Sequence, residues 1–94
     1  MYAPGAKSNF QIWVDSEKTA QGVGRMVVKQ EGQKEIVSQN CFKAQLHINA
    51  PYACRFKKAD FFARRGSGEL LVFDRDDQEL LRSTIDLMEI KKVF

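Results

Sequence analysis

The chain has no long hydrophobic run. Its longest uninterrupted apolar stretch is Leu70-Leu71-Val72-Phe73, far short of the ~20 apolar residues that a membrane-spanning helix requires. Cysteine is scarce: only Cys41 and Cys54, thirteen residues apart. With no C-x-x-C and no histidine cluster, zinc ligation is excluded, and two cysteines do not make a disulfide framework. Buried free thiols are the expected state, with a disulfide between neighbouring strands as the alternative in an oxidising compartment. The single histidine, His47, has no motif around it that would orient it as a base. No serine lies in a Gly-x-Ser-x-Gly elbow. Gly22-Val23-Gly24 lacks the third glycine of a dinucleotide loop and the Gly-Lys-Ser/Thr of a P-loop, so it is read as a turn or bulge. Repeats, low-complexity tracts and heptads are absent. No catalytic residue, metal ligand or cofactor is therefore assigned, and the expectation is a protein that is not an enzyme.

The opening residues, MYAPGAKSNF, hold no apolar run behind a basic start. An intracellular setting, cytoplasmic in the protein's own cell or a host's, is the expectation. Ninety-four residues, 44% hydrophobic and 29% charged, suit one folded domain with a single modest core.

Period-two alternation is the dominant pattern that is present. Residues 1–9 have no periodicity and read as a flexible arm. Phe10, Ile12 and Val14 then alternate with Gln11, Trp13 and Asp15. Trp13 falls on the polar side, where an aromatic either covers a neighbouring strand, the plainer reading, or offers a stacking surface. A β-branched run around Val27 and Val28 precedes a hairpin turn at Glu31-Gly32-Gln33-Lys34 and a return from Glu35 to Ser38. From Cys41 to Asn49 the alternation predicts Phe42, Ala44, Leu46 and Ile48 on the core face, with Cys41 and His47 on the other. Glu69–Phe73 reads as a strand buried on both faces. Asp74, Asp76 and Asp77 crowd a polar turn that lacks the calcium-loop pattern. From Gln78 onward two readings compete. One is a helix capped by Asp76 with Glu79. The other is a hairpin return through Leu80 and Leu81, with a further strand at Ile85 and Leu87. Strands are favoured for the first half, and the end stays open.

Together these give a mainly β fold over residues 10–94. The expected form is a small single-domain barrel or sandwich of short antiparallel strands, with room for a short C-terminal helix.

Charge is concentrated in Pro51–Gly68. This segment carries five cations and one acid, a net +4, whereas the remaining residues sum to −1. It also holds four of the ten aromatics. Alternation turns Tyr52, Cys54 and Phe56 inward and Arg55 with Lys57 outward. Phe61 and Phe62 are adjacent, so in a strand only one of them can be buried. The candidate binding residues are Arg55, Lys57, Lys58, Phe61, Phe62, Arg64 and Arg65, with Trp13.

Cations neutralise phosphates and exposed rings stack on unpaired bases, so single-stranded nucleic acid is the first expected partner. A protein interface or homo-oligomer is the second, because aromatics and arginines also favour such contacts. An anionic lipid headgroup is the third. Phe56-Lys57-Lys58 through Arg64-Arg65, followed by GELLVFDRDD and TIDLMEI, resembles the opening hairpins of pleckstrin-homology domains. The match covers less than half of the chain, and the resemblance implies a headgroup site on the same cations.

Overall fold

The computed structural model describes residues 8–14, 16–19, 22–43 and 52–92. Seven strands and one short helix follow in order: β1 (Asn9–Val14), β2 (Arg25–Lys29), β3 (Ile36–Val37), β4 (Asn40–Lys43), β5 (Tyr52–Lys57), β6 (Ser67–Phe73), β7 (Glu79–Asp86) and α1 (Leu87–Lys91). They form two antiparallel sheets, ordered β1-β5-β4 and β3-β2-β6-β7. The mainly β expectation therefore holds, but the two ladders do not close into a barrel.

The inner faces share one core. Phe10, Cys54 and Phe56 from the first sheet meet Met26, Val28, Leu70 and Val72 from the second. Phe61 fills one end, its ring edge-on to Phe10 at 5.0 Å and to Phe56 at 5.6 Å. Edge-to-face rings match positive edge to negative face, which adds to the gain from burial.

The chain passes from one sheet to the other at Ser38–Gln39. Ser38 N–H donates to the Met26 carbonyl (2.9 Å) and Gln39 N–H donates to the Arg55 carbonyl (2.8 Å). The Ser38 hydroxyl accepts from Met26 N–H at 3.0 Å. A strand that changes sheets must pair its backbone on both sides of the bend, and these bonds do so.

Several expectations are corrected here. Cys41 and Cys54 are not free thiols: they face each other across β4 and β5 and form a disulfide, with Cα atoms 4.0 Å apart. Cys41 therefore packs against the core, and alternation turns its neighbour Phe42 to the outside, the reverse of the expected polarity. Residues 44–50, including Ala44, Leu46, His47 and Ile48, lie outside the described residues. At the N-terminal end β1 begins at Asn9, and the carbonyl of the preceding Ser8 accepts from Lys58 N–H at 2.8 Å.

The C-terminal ambiguity resolves into one hairpin and a helix. β7 pairs with β6 along its length, with one register shift between Val72 and Phe73, and then Asp86 caps α1 by accepting from Met88 N–H at 2.9 Å. The proposed Asp76/Glu79 cap does not form. Asp74 instead closes the β6–β7 turn, its carboxylate accepting from Asp76 N–H (2.8 Å) and Gln78 N–H (2.9 Å). Gly24 enters β2 so close to this turn that a Cβ would lie 2.5 Å from the Asp74 carbonyl oxygen. Only glycine fits there.

Candidate functional site

The outer face of the three-stranded sheet is built by register. Trp13, Ala53 and Phe42 lie side by side across β1, β5 and β4, forming one transverse row. The next row is Gln11, Arg55 and Asn40, and beyond it Asn9 is paired with Lys57. Strand alternation puts all of these on the face opposite the core. Trp13 is 51% exposed, while Ala53 at the centre of its row is fully covered. The Arg55 guanidinium lies over the Phe42 ring, 5.6 Å from its centroid, toward the outer limit of a cation–π contact.

Among the described residues the charge on this face has one sign. The described strands NFQIWV, NCFK and YACRFK contain no aspartate or glutamate. Among the described residues no carboxylate pairs with Arg55 or Lys57. The outer face of the four-stranded sheet is the opposite case. There Lys29 pairs with Glu35 at 3.3 Å, and Arg82 bridges Glu79 (2.8 Å) and Glu69 (3.3 Å). The hydrogen bond and charge of Glu79, with help from Glu69, hold the Arg82 guanidinium above its ordinary value. Arg25 lies over the Phe73 ring at 4.0 Å and pairs with Asp77 at 3.3 Å. Cations on that sheet are neutralised in place, whereas Arg55 and Lys57 on the first sheet have no carboxylate partner among the described residues.

The residues expected at the site separate into two groups. Trp13, Arg55 and Lys57 share the sheet face. Lys58, Phe61, Phe62, Arg64 and Arg65 fall in the segment that leaves β5, where a 3-10 turn (Lys58–Asp60) runs into further turns. Phe61 is fully buried and presents no ring to a ligand; it is a core residue. Phe62 is 64% exposed, so the two adjacent rings do divide between inside and outside, although across a turn and not along a strand. The Phe62 carbonyl accepts from Lys91 Nζ at 3.3 Å, tying the turn to α1.

Arg64 has a structural role. Its guanidinium donates to Gln30 Oε1 and to the Lys34 carbonyl, bracing the β2–β3 connection. Arg65 has an exposed side chain, and its carbonyl accepts from Gln30 Nε2 at 2.7 Å.

Sequence reasoning missed Phe42, Gln11 and Asn40. For Phe42 the usable signal was Cys41: with both cysteines turned inward to pair, Phe42 must turn outward. No cluster of three or more His, Cys, Asp or Glu side chains that could hold a metal ion occurs among the described residues. Nor is any helix in this set long and apolar enough to cross a membrane. Compared with protein-family models, curated proteins and solved structures, the chain has no match.

Proposed function

We propose that this protein binds single-stranded nucleic acid on the outer face of its three-stranded sheet. The observation that carries the reading is the joint presence of Trp13, Phe42, Arg55 and Lys57 on one face whose described strands hold no acid. Unpaired bases offer π-faces that stack on exposed rings, and phosphates are held by arginine and lysine. Gln11 and Asn40 flank Arg55 with amides that can both donate and accept hydrogen bonds to base edges. A duplex hides its base faces within its stack, so it meets the cations but not the rings.

The test is titration with a labelled single strand at low salt, repeated as salt is raised. Binding is expected to weaken along a line of log affinity against log salt, with a slope of about −0.7 for each phosphate neutralised. Arg55→Ala is expected to flatten that slope, while Trp13→Ala lowers affinity at every salt concentration. Absence of binding to any single strand at low salt would end the reading. A salt-tolerant complex between copies of the chain, seen by light scattering and lost in Trp13→Ala, would make the same face a protein contact instead.

A further inference from the structure

The register of the sheet goes beyond naming a ligand class: it assigns the path of the strand. We infer that a bound single strand crosses β1, β5 and β4 instead of running along any of them. In this arrangement its bases lie on the Trp13–Ala53–Phe42 row and its phosphates on the adjacent Arg55 and Lys57 rows. This inference rests on the binding reading above and gives it a direction and a footprint.

Each strand supplies too little alone. On the outer face β1 offers one ring, Trp13, followed by the amides Gln11 and Asn9. β4 offers one ring, Phe42, beside Asn40, and β5 offers no ring on this face. A ligand aligned with any one strand would therefore meet at most a single aromatic. Only a transverse path lets one molecule use both.

The cations are ordered the same way. Arg55 and Lys57 both project from the central strand, on one side of the aromatic row. Residues two apart on a strand are about 7 Å apart, so Arg55, whose guanidinium leans over Phe42, stands beside the aromatic row and Lys57 lies one further step out. Bases on one row and backbone on the next is the arrangement a single strand with splayed bases requires.

Spacing then limits the length. Trp13 and Phe42 are two strand steps apart, roughly 10 Å at the usual interstrand distance. A fully stacked strand advances about 3.4 Å per nucleotide and one with splayed bases advances further, so three steps or fewer lead from one ring to the other. Four nucleotides therefore suffice to occupy both. Ala53 between them is fully covered, so what the row presents to a ligand is its two rings.

The experiment compares a mononucleotide, a tetranucleotide and a decanucleotide of one base type against Trp13→Ala, Phe42→Ala and the conservative pair Trp13→Phe and Phe42→Tyr. For the tetranucleotide, each alanine variant is expected to lose about 5- to 150-fold in affinity, the range of one base stacked on one ring. The conservative variants should keep most of the affinity, which separates loss of a ring from loss of fold. For the mononucleotide, either ring can serve, so a single alanine variant should cost only about twofold, the loss of one of two equivalent sites. The crossing path is overturned if the tetranucleotide depends on only one ring while the decanucleotide binds with the expected salt slope. That outcome leaves the binding reading intact. If no length binds, both fall together.

Discussion

Phe61 and Phe62 show how much a single position in the chain decides. Phe61 sits at the corner of an aromatic triad with Phe10 and Phe56, while Phe62, one residue later, turns to solvent. Phe61→Ala removes a buried ring and both edge-on contacts, so a loss of about 3–5 kcal/mol is expected in denaturant unfolding. Phe62→Ala should cost clearly less than Phe61→Ala in the same measurement, because Phe62 is already 64% exposed. Gly24 is a second residue-scale case. In Gly24→Ala the new methyl would meet the Asp74 carbonyl, a backbone atom that cannot swing aside. About 1–3 kcal/mol of destabilisation is expected, read as a lower denaturant midpoint.

At the scale of elements, β4 is the vulnerable part of the proposed site. Among the described residues it is a four-residue edge strand paired to β5, and it carries Phe42. The Cys41–Cys54 disulfide joins it to β5 next to both members of the Phe42/Arg55 contact. Closing a loop of about 15 residues stabilises a fold by about 3 kcal/mol in the chain-entropy model. Reduction with dithiothreitol, or the double change Cys41→Ser with Cys54→Ser, should lower stability by that order. It should also speed amide hydrogen exchange at Asn40–Lys43 and weaken single-strand binding. Unchanged exchange in β4 after reduction would show that backbone pairing alone holds the strand.

Arg64 gives the complementary element-scale prediction. Its bonds to Gln30 and Lys34 brace the β2–β3 connection, so Arg64→Ala should loosen that connection in hydrogen exchange while leaving the salt slope of oligonucleotide binding unchanged. The sequence alone groups Arg64 with the ligand-facing cations. Its hydrogen bonds separate it from them, because a guanidinium already donating to a carbonyl and an amide has fewer donors left for phosphate.

For the whole molecule, the net charge of +3 matters less than how it is distributed. One outer face pairs its cations with carboxylates, and the other leaves Arg55 and Lys57 without them among the described residues. Lys29→Ala and Arg82→Ala should therefore leave the salt dependence of binding unchanged. Arg55→Ala and Lys57→Ala should each reduce its slope by about 0.7. Equal effects from all four changes would mean that binding follows total charge and not a face.

Period-two alternation by itself determined most of the strands, because a pleated strand sends successive side chains to opposite faces whatever surrounds it. It placed Phe10, Ile12 and Val14 inward with Trp13 outward, and Tyr52, Cys54 and Phe56 inward with Arg55 and Lys57 outward, all as the structure has them. Alternation cannot say which of its two faces is the core where both carry apolar residues. At Cys41–Phe42 that choice was made by the partner strand, through the pairing of Cys41 with Cys54. Whether Glu79–Asp86 formed helix or strand was likewise decided by β6, whose length of unpaired backbone β7 completes. Only the tertiary structure could show that Trp13 and Phe42, twenty-nine residues apart in the chain, share one row with Ala53 between them. Neighbourhood across a sheet is set by register between strands, and register is a property of the assembled pair, not of either strand alone.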